Sequence, residues 1–327
     1  MHAMRPTVLL LALLCSGLLL EGCELIGLGD GPSGPRLTEI PGKIVYAKDV
    51  DGSSQIFVTD QQGARQLTES DTPYESARSP AWSPDGERIA FSWNRGNGGD
   101  ELYVMQADGS GKRPLIGKLS NGRKVFGTDP AWAPGGERIA FQFCPVCNIG
   151  GLNSQISVVD LESGVVDTLT APTSDNSNPM WSPDGEQIAY LSNRDYIGTD
   201  SARFADLYIM DADGSDKQRL TTMTAGGGVW NPAEEQLALV SNGDMFLLDL
   251  EDGSTSPLQA DLPDEWGGGP IEWSPEGQRL MIHSIDSSIG SSSFRSHFHM
   301  VDIQTGESRS VLSDVELDTS PDWFAQD

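Results

Sequence analysis

Three histidines, a cysteine pair and several Asp-x-Asp-Gly runs are the residues of this chain whose types and spacing could do chemistry. His297 and His299 flank Phe298, so in an extended strand both project to one face, and His283 ends the strand expected beside theirs. Three imidazoles gathered in this way could hold a metal; the plainer reading is polar side chains on one sheet, since the sequence fixes no carboxylate behind them. Cys144-Pro145-Val146-Cys147 has the spacing of a redox or zinc pair. It lacks the βαβ context for the first and a second Cys or His pair for the second, so a local disulfide is expected. Asp211-x-Asp213-Gly214 and Asp49-x-Asp51-Gly52 look like calcium loops, but the twelfth position from Asp211 is Thr222, not Glu. Hairpin turns account for them better. Gly29-x-Gly31-x-x-Gly34 matches a dinucleotide fingerprint by letter only, with neither strand before it nor helix after it. No Gly-x-Ser-x-Gly elbow occurs. No catalytic residue and no cofactor is therefore assigned, and the chain is expected not to be an enzyme.

The elements that must position these groups come from a repeat. Ser79-Pro80-Ala81-Trp82-Ser83-Pro84-Asp85-Gly86-Glu87-Arg88-Ile89-Ala90-Phe91 returns around Trp132 and Trp181, and in weaker form around Trp230, Trp273 and Trp323. These six tryptophans stand 50, 49, 49, 43 and 50 residues apart, a period that marks one supersecondary unit copied many times. After each of the first five, a Pro-bearing turn, with Gly in all but the copy at Trp230, leads to an apolar run that starts seven residues on, as at Ile89, Ile139 and Ile188. A second apolar run follows and ends in an Asp-Gly, Ser-Gly or Thr-Gly turn. No stretch has helical periodicity. Runs that are apolar nearly throughout need cover on both faces, so each unit reads as a four-stranded antiparallel blade of a β-propeller. The N-terminal unit lacks its Trp strand and the C-terminal Trp strand lacks its unit. Joining them closes a ring of six blades and leaves no free sheet edge.

The Pro-x-Trp-Ser-Pro-Asp-Gly, Ile-Ala-Phe and Ala-Asp-Gly pattern resembles the WD40-like (PD40) repeats of the TolB family over residues 41–327. The resemblance implies an all-β, six-bladed propeller that binds partners at one mouth of its channel. It departs from TolB in having too few residues before the repeats for that family's N-terminal α/β domain. Some propeller lyases acting on uronates use histidines to hold a metal, which gives the His283, His297, His299 set an alternative meaning.

Arg5 and the apolar run Val8–Leu20 read as a signal peptide over residues 1–22. Leu20-Glu21-Gly22-Cys23 resembles a lipobox, with Cys23 the lipidated residue and residues 23–40 a Gly- and Pro-rich tether. This implies a monomer held at the cell envelope by its lipid, on the periplasmic face of the outer membrane where there is one. The formal charge of −27 repels phosphate backbones and argues against nucleic acid. It suits cationic partners, divalent ions sensed in an acidic channel, or simple solubility. Tyr74, Glu75, Arg78, Asp129, Asn176, Asn178, Trp266 and Asp318 fall where strands a begin, around one mouth. Their mix of charge, amide and aromatic groups points to capture of an envelope protein or peptide. Trp266 stands out because the glycines after it offer little local core.

Overall fold

The computed structural model describes residues 42–60, 62–70, 72, 74–96, 99–115, 125–144, 154–196, 205–223, 225–262, 266, 271–286, 295–315 and 321–324. The expected signal segment, Cys23 and the tether lie outside these residues. Among the described residues all regular structure is strand, in six four-stranded antiparallel sheets.

Blade 1 holds β1 (Lys43–Val50), β2 (Ser53–Asp60) and β3 (Gly63–Gln66), completed on the inner side by β24 (Asp322–Phe324). Blade 2 holds β4 (Glu75–Trp82), β5 (Arg88–Arg95), β6 (Asp100–Gln106) and β7 (Arg113–Pro114). Blade 3 holds β8 (Gly127–Trp132), β9 (Arg138–Phe143), β10 (Gln155–Asp160) and β11 (Val166–Thr168). Blade 4 holds β12 (Asn176–Trp181), β13 (Gln187–Ser192), β14 (Asp206–Asp211) and β15 (Gln218–Arg219). Blade 5 holds β16 (Gly227–Trp230), β17 (Gln236–Ser241), β18 (Asp244–Asp249) and β19 (Thr255–Pro257). Blade 6 holds β20 (Ile271–Trp273), β21 (Arg279–Asp286), β22 (Arg295–Asp302) and β23 (Ser308–Val315). The ring closes as the end fragments require: Ile44 pairs with Trp323, and Val45 with Asp322.

The middle strands are the apolar runs, and they are buried on both faces: Ile89, Ala90 and Phe91, Ile139 to Phe141, and Ile188 to Tyr190 are all inaccessible. Blades join through the repeat tryptophan. Trp132 Nε1 donates to the Ala81 carbonyl at 3.1 Å, Trp181 Nε1 to that of Ala131 at 3.2 Å, and Trp273 Nε1 to that of Val229 at 3.2 Å. Each indole thus fills the gap between sheets and satisfies a carbonyl of the inner strand before it, which has no neighbour on its channel side.

The turn after each Trp explains its Ser, Asp and Gly. In blade 2, Ser83 Oγ receives the Arg88 N–H at 2.9 Å, Asp85 Oδ1 receives the Glu87 N–H at 3.0 Å, and Gly86 sits at φ 66°. Ser182 and Asp184 do the same in blade 4. The Asp-Gly runs that look like calcium loops are hairpins closed by their own carboxylates: Asp213 Oδ1 accepts from Ser215 N at 2.8 Å, and Asp49 Oδ1 from Gly52 N at 2.9 Å.

Candidate functional site in the central channel

The inner strands line a cavity of about 560 Å³ on the ring axis. Its wall is built from the same few positions of each repeat. Three residues before the Trp, Ser79, Asp129 and Asn178 adopt φ of 48°, 52° and 50°. Each sits in a bulge where the inner strand slips register against its neighbour. The extra residues swing these short polar side chains to the channel, and the prolines that follow leave no N–H unpaired. Ser79 Oγ donates to Asp129 Oδ1 at 2.9 Å, tying blade 2 to blade 3.

The position immediately before the Trp breaks the symmetry. Around the ring it carries Ala81, Ala131, Met180, Val229, Glu272 and Asp322. Four are apolar, and the two acids are on adjacent blades, 6 and 1. Both acids line the cavity. Burial pushes the Glu272 carboxyl well above the usual range and the nearby Asp322 charge pushes it further, against a weaker pull from the Trp273 N–H, which it accepts at 3.2 Å. Burial also raises Asp322, to about 6, although its carboxylate accepts the backbone N–H of Trp82. Burial and mutual repulsion thus disfavour ionising both acids together. Such a pair can hold an ammonium or guanidinium group, or pass a proton to and from a bound substrate.

The residues expected at the mouth disperse. Asp129 and Asn178 line the channel. Tyr74 is 79% exposed and Arg78 is exposed, its charge felt at Asp100. Glu75 is buried at the head of β4. Asn176 is fully buried, and its amide donates to the Ser154 and Ser174 carbonyls at 3.1 and 2.9 Å, a packing role. Trp266 does not stand free: it is 8% exposed and packs with Ala238, Ile271 and Trp273. The core it joins comes from blades 5 and 6, not from its neighbours in sequence. Asp318 lies outside the described residues. Cys144 is disulfide-bonded, and its expected partner Cys147 lies outside them.

The histidines do not converge. His283 pairs with Phe298, whereas Ile282 pairs with His299 and Ser284 with His297. Paired residues share a face and neighbours alternate, so His283 points away from the other two. It is 6% exposed, with Nε2 unpartnered, and its pKa falls to about 4, first through burial and then through the charge of His297. His299 Nε2 lies 3.1 Å from Ser284 Oγ. Among the described residues no group of three His, Cys, Asp or Glu side chains is placed to hold a metal ion.

No family model matches the chain. A curated protein of Bacillus subtilis (strain 168), "Uncharacterized peptidase YuxL", is 25% identical over 206 residues, 55% of this chain and 31% of that protein. The chain thus spans about a third of the length of the relative it matches. TolB from Acinetobacter baumannii has the same fold, with a TM-score of 0.66 and 19% identity over 86% of this chain and 66% of the other. So does an oligogalacturonate lyase in complex with manganese, at a TM-score of 0.58 and 14% identity over 86% and 77%. At such identities the structural matches speak for the fold. The expectation that this chain is not an enzyme is corrected by these findings: the protein sharing its sequence is named a peptidase, and a lyase is among the enzymes sharing its fold.

Proposed function

We propose that this chain works in peptide hydrolysis, its channel receiving the peptide and Glu272 with Asp322 holding a cationic end of it. One observation carries this reading: acids occupy the channel position of two neighbouring blades where the other four carry Ala81, Ala131, Met180 and Val229. Four apolar groups facing two carboxylates make a polarised tunnel that fits a short chain with an apolar flank and a positive terminus. Ser79, Asp129 and Asn178, in the adjoining layer, offer hydroxyl, carboxylate and amide groups for peptide N–H and C=O. The sequence kinship with a named peptidase supports the substrate class. The metal-dependent lyase reading loses its ligand set with His283 on the opposite face. Anchorage through a lipid on Cys23, at the cell envelope, belongs to this proposal and rests on the sequence motif.

The test is a peptide library offered to the purified chain, with cleavage followed by mass spectrometry and capture by equilibrium dialysis. Peptides with free amino termini should be cleaved, and captured at least about tenfold more tightly than their acetylated forms. Glu272→Gln together with Asp322→Asn should erase that preference. Absence of both cleavage and saturable capture would sink the proposal.

A further inference from the structure

A second cavity, of about 390 Å³, opens between blades 4 and 5, and its walls copy a slot that an arginine fills elsewhere in the ring. Between blades 2 and 3, the Arg88 guanidinium lies 4.7 Å from the Trp132 ring centre. There it bonds the Gly136 carbonyl at 3.2 Å and pairs with Asp85 at 3.7 Å. Between blades 3 and 4, Arg138 stacks on Trp181 at the same 4.7 Å. Both arginines stand six residues after their blade's Trp.

In blade 4 that place is taken by Gln187, and the rest of the slot remains. Trp230 stands where Trp132 does, Asp184 where Asp85 does, and Glu234 where Gly136 does. All of them, with Glu235, line the cavity. Glu234 replaces a turn glycine, so it adds a carboxylate to a place that elsewhere offers only a carbonyl. Trp230 Nε1, like that of Trp82, is shielded from solvent and has no partner, whereas those of Trp132, Trp181 and Trp273 are bonded. Blade 5 also lacks the arginine, having Gln236, but there Asn231 Nδ2 reaches across to the Gly277 carbonyl at 3.2 Å and does the guanidinium's work. Between blades 4 and 5 no described side chain does so.

We propose that this groove is a binding site for a guanidinium supplied from outside, the side chain of an arginine in a peptide. The occupant is argued by the molecule itself: the same three-sided setting holds Arg88 between blades 2 and 3, and the same indole face holds Arg138 between blades 3 and 4. A planar cation stacked on an indole and flanked by carboxylates gains from the ring face and from the charges together. The inference stands apart from the channel reading, because it uses neither Glu272 nor Asp322.

The test is calorimetric titration with N-acetyl-arginine amide and with its uncharged citrulline counterpart. The arginine compound should bind saturably, and the citrulline one at least about tenfold more weakly. Gln187→Arg supplies the missing group in cis and should weaken binding about tenfold or more while raising Tm. Gln187→Ala leaves the groove open and should bind as the native chain does; Glu234→Gln should bind more weakly. Equal binding of the two compounds, undiminished binding by folded Gln187→Arg, or no saturation by about 50 mM ligand overturns the proposal. Should Gln187→Arg fail to fold, the citrulline comparison and Glu234→Gln decide the matter alone.

Discussion

The two halves of the ring obey the repeat to different degrees. At the junctions of blade 2 with 3 and of blade 3 with 4 the rule is kept: the indoles of Trp132 and Trp181 bond to the preceding inner strand, Arg88 and Arg138 stack on them, and Ala81 and Ala131 hold the channel position. From the junction of blades 4 and 5 round to that of blades 1 and 2 it is broken, by the unpartnered indoles of Trp230 and Trp82, by Gln187 of blade 4 in place of an arginine, and by Glu272 and Asp322 in the channel. The regular half needs only packing to explain it. The irregular half carries orphan donors and crowded acids, features that destabilise a fold and persist where they serve binding. Kept rules therefore mark the scaffold, and broken ones mark both candidate sites.

The largest effect should come from cutting the scaffold itself. Removing residues 320–327 takes away β24, and with it Trp323, which packs on Ile44, Tyr46 and Met281. Blade 1 then exposes an inner edge and the ring has no closure, so cooperative thermal unfolding should vanish in calorimetry. A truncated chain that melts like the intact one would refute closure by this strand. Next in size is a paired test of the two halves. Trp132→Ala removes a buried, bonded indole and should cost about 3–5 kcal/mol in denaturant titration. Trp230→Ala removes a half-buried one with no hydrogen bond to lose, and should cost about 1–2 kcal/mol. Equal losses would erase the distinction between the halves.

The repeat was legible because its signals are local. Trp, Pro and Gly recur at fixed offsets, and each offset is a turn or an interface that must be rebuilt six times. The complementary fragments at Ile44 and Trp323 gave the closure for the same reason. The site was less legible, because it depends on what faces what across the ring. His283, His297 and His299 sit close in sequence pattern, yet the pleat separates them, and only the pairing of Ile282 with His299 reveals that. Trp266 looked free because its core is made by blades distant in sequence. Asn176 reads as a surface amide until the Ser154 and Ser174 carbonyls are seen beside it. Glu272 and Asp322 carried a usable signal: aligning the residue before each Trp yields four apolar side chains and two neighbouring acids. That alignment looks for a broken rule, whereas counting repeats looks for a kept one.

The smallest effect, and the sharpest on the comparison, concerns those two acids. Both have folded pKa values raised above the unfolded ones, so the folded state binds more protons between the two values. Their favourable contribution is present below the unfolded carboxylate range, about pH 4. It is lost as pH rises through the folded values, which for Asp322 means about 6. At pH 8 the pair therefore burdens the fold. Asp322→Asn keeps an oxygen to accept the Trp82 N–H and removes the charge, and Glu272→Gln does the same for the Trp273 N–H. Each should leave stability at pH 4 nearly unchanged and raise it at pH 8, Asp322→Asn on the order of 2 kcal/mol, with the gain growing across the interval between. Ala131→Glu, an acid set into the regular half, should lower stability at pH 8 by a similar amount. Amide variants less stable than the native chain at pH 8 would mean that the two carboxylates hold the ring together, and that the irregular half, like the regular one, is scaffold.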